Sequence, residues 1–145
     1  MNNNKLKTFK DGEKWGFKDS KNNIIIPAEY DFLGDFENGL AYARKGDKIG
    51  YIDSNNKEII PIKYDKVGHF SPDGFLPVCL KGIWGIIDKD CKEIIPLQYD
   101  SILSFNGKVF SVKLGLKSGF LEIGGKVIFP SSHAKMKEFI QKYSI

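Results

Sequence analysis

Glycines and prolines recur along this chain at a period of about 34 or 35 residues, which is the spacing of a repeat protein. The clearest copy spans residues 48–65 and reads KIGYIDSNNKEIIPIKYD. The repeated residues are Gly16, Gly50, Gly85 and Gly119, and Pro27, Pro61, Pro96 and Pro130. Because one copy is too short to bury a core by itself, neighbouring copies must stack to form one.

Short apolar runs separated by glycine-containing turns divide each copy into three strands, named A, B and C. Strand A is predicted at 6–9, 40–44, 75–80 and 109–114, strand B follows a turn at Gly12, Gly46, Gly82 or Gly115, and strand C ends at the repeated proline. This spacing is typical of β-hairpins and predicts three-stranded antiparallel meanders. The four units span about 5–31, 39–65, 74–100 and 108–130, with about twelve strands in total.

The turns between strands B and C begin with an acidic residue, and their fourth residues are Asn22, Asn56, Cys91 and Gly125. A leading aspartate accepts hydrogen bonds from the backbone two residues on, while Asn and Gly tolerate positive φ. We therefore expect positive φ at Asn22, Asn56 and Gly125. Cys91 is the exception, because its Cβ makes that conformation costly, and its turn is predicted to be either strained or differently built.

Each connection between copies holds a phenylalanine at a matched position: Phe36, Phe70 and Phe105. An aromatic residue that recurs in this way is predicted to anchor the core, and we expect Phe70 and Phe105 to be buried. Residues 132–144 leave the repeat pattern and predict a short amphipathic helix behind serine caps. Its apolar residues are Met136, Phe139, Ile140 and Tyr143.

Strands B and C carry apolar residues on both faces, so both faces of each meander need to be covered. Stacked meanders meet this need either as an open, solenoid-like array or as the blades of a small β-propeller. Lys7 and Lys18 occupy positions that are apolar in later copies, which gives the first meander one polar face. A closed ring would bury that face. The sequence therefore favours an all-β open stack of four meanders with a C-terminal capping helix.

The composition narrows the class of protein. The chain has 145 residues, 41% of them hydrophobic, which is enough for one domain spanning 1–145. Its net charge of +4 arises from lysines spread over every copy, so no nucleic-acid partner is predicted. No apolar stretch suits a signal peptide or a membrane span. We expect a cytoplasmic protein without membrane insertion, monomeric or weakly homo-oligomeric.

A few residues break the repeat pattern and are the natural candidates for chemistry: Arg44, His69, Cys79, Cys91 and His133. A nucleophilic pair of one cysteine with one of these histidines is one alternative. In the other alternative, Cys79 is a small hydrophobic residue of strand A and both cysteines remain thiols. The cysteine spacing fits neither a disulfide framework nor a metal site. We therefore predict no catalytic, metal-binding or cofactor-binding residues, and no enzymatic activity.

Asp31, Asp65 and Asp100 each follow a tyrosine at the end of a copy. A general acid or base needs one tuned site, whereas these aspartates recur, so we interpret them as structural residues. Each is expected either to pair with a neighbouring lysine or to cap the connection to the next copy.

The dipeptides Trp15-Gly16 and Trp84-Gly85, each followed by Ile-Ile-Pro and then Tyr-Asp, resemble the WG repeat, also called the KWG repeat. The resemblance covers roughly residues 5–130, and it departs at Ile49 and Ser118, which replace the tryptophan. The fourth copy also lacks the Tyr-Asp ending. The resemblance implies a β-rich bacterial repeat protein with a binding role, and it brings no catalytic residues.

Three functions are compatible with this sequence. The first is a non-enzymatic module that binds a protein or peptide, because stacked repeats provide a long surface and strand edges. The second is a carbohydrate or cell-wall binding module that uses exposed Tyr and Trp rings. The third is a hydrolase that uses Cys79 or Cys91 as its nucleophile. Burial of Trp15 and Trp84 would count against the second.

Overall fold

The computed structural model describes residues 5–106, 109–122 and 127–128, and every regular element within them is a β-strand. These strands form four small antiparallel sheets, none of which closes into a barrel within the described residues. The structure therefore confirms the predicted all-β repeat class. The predicted helix at 132–144 and the turn residue Gly125 lie outside the described residues.

Each sheet is a meander in which strands adjacent in sequence are adjacent in space. Sheet 1 consists of β1 (Lys7–Asp11), β2 (Lys14–Lys18) and β3 (Ile24–Tyr30). Sheet 2 consists of β4 (Phe32–Glu37), β5 (Leu40–Lys45), β6 (Lys48–Ile52) and β7 (Glu58–Tyr64). Sheet 3 consists of β8 (Lys66–Val67), β9 (Leu76–Leu80), β10 (Ile83–Ile87) and β11 (Glu93–Tyr99). Sheet 4 consists of β12 (Ser101–Asn106), β13 (Val109–Leu114), β14 (Lys117–Glu122) and β15 (Val127–Ile128).

Three of the sheets have one strand more than the sequence predicts, because the connections between copies are strands themselves. β4, β8 and β12 each pair with the outer edge of strand A. The backbone N–H of Asp31 donates to the carbonyl of Arg44 at 2.9 Å, and that of Asp100 donates to the carbonyl of Lys113 at 2.8 Å. These bonds begin the pairing at the aspartate of the Tyr-Asp dipeptide. The described residues contain fifteen strands rather than about twelve.

The repeated glycine and the repeated proline meet across strands B and C. A Cβ on Gly50 would lie 2.4 Å from the carbonyl oxygen of Ile60 and 2.7 Å from the carbonyl carbon of Pro61. Gly16 and Gly85 meet strand C in the same way, with nearest approaches of 2.4 Å and 2.6 Å. No side chain fits at these distances, so only glycine permits strand C to come this close.

Strand C bulges around its proline, and the bulge is the same in three copies. Ile49 pairs with Tyr64 and Tyr51 pairs with Ile60, so Gly50 alone lies opposite three residues of β7. The same shifts occur between β2 and β3 and between β10 and β11. Proline suits such a bulge because it has no N–H to contribute to the ladder.

The turns between strands B and C have the predicted positive φ at Asn22 (66°) and Asn56 (62°). The leading aspartate fixes each turn through its carboxylate. In the second copy, Asp53 Oδ1 accepts the backbone N–H groups of Asn55 and Lys57, both at 2.9 Å. Two backbone bonds to one carboxylate hold the chain in this shape, and the prediction for both asparagines is confirmed.

Cys91 adopts the same left-handed conformation, with a φ of 63°. Its N–H donates to the carbonyl of Asp88 at 3.1 Å, and Asp88 Oδ1 accepts the N–H groups of Asp90 and Lys92, both at 2.9 Å. Of the two alternatives for this turn, the strained one is correct. The aspartate bonds impose the conformation although the Cβ of cysteine makes it costly.

The chain divides into two compact units, Met1–Lys66 and Val67–Ile145. The buried cluster of the first comprises Phe17, Ile26, Tyr30, Leu33, Ala41, Ala43 and Ile52. The buried cluster of the second comprises Ile86, Tyr99, Ile102, Phe110, Val112 and Leu121, at matching repeat positions. The first unit combines a large Phe17 with a small Ala41, whereas the second combines a smaller Ile86 with a large Phe110. The two clusters therefore distribute side-chain volume differently over matching positions.

The tyrosine of the first Tyr-Asp dipeptide is a core residue with a polar end. Tyr30 is 2% exposed, and its hydroxyl donates to Asn56 Oδ1 at 2.5 Å. Asn56 Nδ2 donates in turn to Glu29 Oε1 at 2.9 Å. Burial, together with the negative charges of Glu29 and Glu58, raises the pKa of Tyr30 to about 12, so the hydroxyl remains a donor. The turn asparagine therefore joins its copy to the tyrosine of the preceding copy.

The phenylalanines of the connections pack against the core to different degrees. Phe36 is half-buried, and its ring centroid lies 4.6 Å from that of Phe17. Phe70 is also half-buried, which is less than the sequence predicts, because it follows the short β8 and belongs to no strand. The side chain of Phe105 lies outside the described part of the structure. One domain over 1–145, and the choice between an open array and a propeller, remain predictions.

The close approach at Gly50 leads to the first testable expectation. Gly50→Ala should lower the free energy of unfolding by about 3 kcal/mol, because the new Cβ would overlap the backbone of β7 rather than a movable side chain. Urea unfolding measures the change. Gly34→Ala is the control, since its Cβ would meet only the Cβ of Tyr42 at 3.4 Å. Equal stability of the two variants would contradict the role assigned to the glycine.

The strained turn at Cys91 leads to the second testable expectation. Cys91→Gly should raise the free energy of unfolding by about 1 kcal/mol, because glycine adopts positive φ without a Cβ clash. Cys91→Ala keeps the Cβ and should show no gain. Thermal unfolding of both variants beside the parent makes the comparison. A stabilised alanine variant would mean that the thiol, and not the backbone, is the unfavourable feature.

Candidate functional site

The outer edge of β1 is the most regular strand edge in the first unit. β1 pairs with β2 over five consecutive residue pairs, from Lys7↔Lys18 to Asp11↔Lys14, without a register shift. Among the described residues β1 has no partner on its other side, where sheets 2, 3 and 4 place β4, β8 and β12. A regular strand with an unpaired edge is a template for adding another strand.

Features of their own sequences make other strand edges poor sites for adding a strand. β3, β7 and β11 contain Pro27, Pro61 and Pro96, and each has two register shifts against its neighbour. β4 and β12 each have one register shift, and β8 is two residues long. Prolines, bulges and short length all discourage pairing with another chain. β1 has none of these three features.

The polar groups on the outer edge of β1 can be assigned from the matching positions of later copies. Lys10 matches Arg44, whose carbonyl accepts the N–H of Asp31. Gly12 matches Gly46, whose N–H donates to Asp31 Oδ2 at 2.5 Å. Backbone groups alternate between the two sides of a strand, so the N–H and carbonyl of Thr8 also point outward. β1 therefore presents backbone donors and acceptors along its outer edge.

A groove of about 850 Å³ runs beside this edge. It is lined by Lys5, Leu6, Lys7, Thr8, Asp35, Phe36, Glu37, Gly39 and Ser54. β1 and the residues just before it supply one wall, and the end of β4 with the following turn supplies most of the other. Leu6 and Phe36 give the groove an apolar floor that is continuous with the buried cluster of the first unit. Its size is within the range of ligand-binding clefts.

On β1 and its hairpin, lysines outnumber acidic residues, of which Asp11 and Glu13 are also exposed. Lys5, Lys7 and Lys10 are exposed, and Lys7 is paired directly opposite Lys18. Like charges at opposed positions of a strand pair repel each other. The ammonium of Lys18 lies 5.4 Å from the ring centroid of Phe9, which is half-buried on this face. The face carries the lysines that the sequence predicts to make it polar, and it also has the apolar ring of Phe9 at its centre.

An aromatic row is the second surface feature of the first unit. It consists of Trp15, Phe32, Tyr42 and Tyr51, whose successive ring centroids are 5.9, 5.9 and 6.0 Å apart. The planes of successive rings lie at 59°, 74° and 90° to each other, so the edge of one ring packs towards the face of the next. Phe32 is 41% exposed, and the other three are half-buried. Such a row offers little flat ring surface for a sugar.

Trp15 and Trp84 are packing residues at the margins of the two cores. Both are half-buried and contact the buried cluster of their own unit. The ammonium of Lys10 lies 5.5 Å from the ring centroid of Trp15 and covers part of its remaining surface. The carbohydrate hypothesis depends on exposed tryptophan rings, so this packing does not favour it.

The repeated aspartates perform both of the structural roles that the sequence suggests. Asp31 Oδ1 accepts a hydrogen bond from Lys14 Nζ at 2.7 Å, while its other oxygen caps Gly46. Asp65 forms an ion pair with Lys48. Asp100 Oδ2 accepts the N–H of Gly115 at 2.6 Å. Ile83 stands where Lys14 and Lys48 stand in the first two copies, so the third copy lacks the lysine.

The candidate residues for covalent chemistry that the structure describes lie in different strands and turns. Cys79 is 2% exposed in β9 and paired opposite Trp84, as expected of a small hydrophobic residue. Cys91 lies in a turn, His69 is exposed after β8, and His133 lies outside the described residues. Arg44 Nη1 donates to the carbonyl of Gly46 at 2.7 Å and stabilises a turn. Within the described ranges, no group of three His, Cys, Asp or Glu side chains could hold a metal.

A tandem array of antiparallel sheets, each built on the same contact between a glycine and a proline-containing bulge, defines an all-β repeat protein. The family model described as WG containing repeat matches residues 15–48, 49–82 and 84–117, which is more than half of the chain. The chain belongs to the WG repeat family. No curated protein and no solved structure matches it. In the described part of the chain no helix is long and apolar enough to cross a membrane.

The bonds to Asp31 lead to an expectation about acid stability. The hydrogen bond from Lys14, followed by that from Gly46, lowers the pKa of Asp31 below its ordinary value of 3.8. The carboxylate therefore stabilises the fold above that value, and this contribution disappears as the pH falls through the lower, folded-state pKa. Lys14→Gln should raise the pKa of Asp31, measured by NMR titration of its side-chain carboxyl carbon. Lys21→Gln is the control, and an unchanged pKa in Lys14→Gln would contradict the assigned cause.

Proposed function

We propose that this protein is a non-enzymatic binding module that captures an extended segment of another protein by adding it to sheet 1 as a fourth strand. The observation that carries the proposal is the regular, unpaired outer edge of β1 in the described structure, at the place where the other sheets have a strand. In strand addition, backbone hydrogen bonds supply affinity, and side chains on alternate positions supply selectivity.

The surroundings of the edge support recognition rather than simple protection. Lysines on an edge strand discourage unspecific pairing, which is the ordinary reason to find them there. Protection alone requires neither a groove beside the strand nor a half-buried phenylalanine on its face. The groove of 850 Å³ and Phe9 together offer a bound segment apolar contacts on both of its faces.

The proposal makes a prediction about Thr8, whose N–H points away from β2. Thr8→Pro should weaken the binding of peptides that add to the outer edge of β1 about ten-fold. The substitution removes one outward N–H donor and restricts the backbone around residue 8. Thr8→Val retains the N–H and should bind within about two-fold of the parent. Peptides selected on the 145-residue protein from a random library are the probes, and fluorescence polarisation measures their affinity.

Proline is tolerated on an edge strand when its missing N–H faces solvent, so Thr8→Pro should fold. Circular dichroism and thermal unfolding check this point. Selected peptides that bind Thr8→Pro as tightly as Thr8→Val would place the binding surface elsewhere. The same would follow from a peptide footprint, measured by amide hydrogen exchange, that leaves β1 unprotected.

A further inference from the structure

The segments that serve as outer strands share one sequence pattern. Each begins with Asp, has Leu, Val or Ile two residues later, and has Phe three residues after that. The segments are Asp31–Phe36 (DFLGDF), Asp65–Phe70 (DKVGHF) and Asp100–Phe105 (DSILSF). In this chain, the segments that pair with the outer edge of strand A therefore carry this pattern.

The aspartate of this pattern makes two contacts with the hairpin that it joins. The N–H of Asp31 donates to Arg44, and its carboxylate accepts the N–H of Gly46 at 2.5 Å. Asp100 makes the matching pair of bonds, to the carbonyl of Lys113 and to the N–H of Gly115 at 2.6 Å. Together these bonds fix the position at which the outer strand starts.

The apolar residue of the pattern is buried against strand A. Leu33 is paired opposite Ala43, and Ile102 is paired opposite Val112. Both Leu33 and Ile102 are 2% exposed. Because one face of the outer strand is covered in this way, the residue at this position selects the register of the whole strand.

β1 offers the same features to a partner. Gly12 has a φ of 64°, close to the 62° of both Gly46 and Gly115, so its turn presents the N–H in the same manner. No carboxylate of the described residues is hydrogen-bonded to that N–H. Phe9 occupies the position of Ala43 and would lie opposite the apolar residue of an added strand. The outer edge of β1 therefore offers a contact to the aspartate of the pattern and another to its apolar residue.

Charge favours an acidic occupant. Asp31, Asp35 and Glu37 make the β4 segment acidic. The β1 side carries exposed Lys5 and Lys7, and Lys7 is repelled by its opposed partner on β2. A carboxylate placed next to these ammonium groups would relieve that repulsion. The lysines beside β1 therefore favour a partner strand whose acidic side chains lie on the face of Lys7 and not against Asp35 and Glu37, which line the groove.

We propose that the outer edge of β1 recognises an extended acidic segment of another protein that carries the pattern Asp-x-(Leu, Ile or Val)-x-x-Phe. This inference rests on the proposed function, because it specifies the partner of the same edge. The aspartate caps Gly12 and donates its N–H to the carbonyl of Lys10. The apolar residue packs on Phe9, and side chains of the opposite face enter the groove at Leu6 and Thr8.

The test uses a fluorescein-labelled peptide with the sequence of residues 30–38, YDFLGDFEN, and the 145-residue protein. Fluorescence polarisation should detect saturable binding to the parent that weakens about ten-fold in Thr8→Pro and less than about two-fold in Thr8→Val, which keeps the backbone N–H. The peptide change Asp31→Ala should weaken binding about ten-fold, because it removes a charge-assisted bond. A peptide N-methylated at Asp31 keeps the charge and loses the N–H, so it should also bind about ten-fold more weakly.

Four outcomes would overturn the inference. A scrambled peptide of identical composition that binds equally well would show that charge alone attracts it. Undiminished binding to Thr8→Pro would show exchange with β4 or another site. Dimerisation of the unliganded protein that is abolished in Thr8→Pro would make a second copy the occupant. If library peptides require the β1 edge but YDFLGDFEN does not bind, the pattern is wrong while the proposed function stands.

Discussion

The contact between the repeated glycine of strand B and the bulged strand C is the constraint on which the rest of the structure depends. With Cβ positions only 2.4 Å to 2.6 Å from backbone atoms, Gly16, Gly50 and Gly85 cannot be replaced without moving a strand. The bulge carries the chain from the Ile-Ile pair to the buried tyrosine in a fixed number of residues. That fixed spacing brings the following aspartate to the hairpin of the next sheet, where it starts the outer strand.

Because this geometry is set by the backbone, the core residues are free to vary in size. The two buried clusters use matching positions but divide their volume differently, with Phe17 and Ala41 in one and Ile86 and Phe110 in the other. At the turn of Cys91, too, the backbone geometry is fixed while the side chain varies. The carboxylate of Asp88 holds the backbone at positive φ, and the strain of a β-carbon at that position is tolerated.

The sequence predicts those parts of the fold that depend on local backbone chemistry. The repeat, the hairpins, the asparagine turns and the structural role of the aspartates all follow from residue types at fixed spacing. The outer strands could not be predicted, because β4 and β12 each contain a register shift and β8 has only two residues, so none shows a clean alternation. The unpaired edge of β1 could not be predicted either, because it is recognised only by comparison with the fourth strand of the other sheets.

Function in such an array is best sought where the symmetry of the repeats fails. Residues that recur from copy to copy serve the fold, as Tyr30 and Asp31 do when they join the first copy to the second. The first copy has the same outward backbone groups and the same turn glycine, but among the described residues sheet 1 has three strands where the others have four. Under the proposed function, selectivity at this edge comes from its backbone groups, Phe9 and the nearby lysines together, and not from one side chain. The proposed binding requires no new chemistry, because strand addition uses the same kind of backbone hydrogen bonds that join successive copies within the chain.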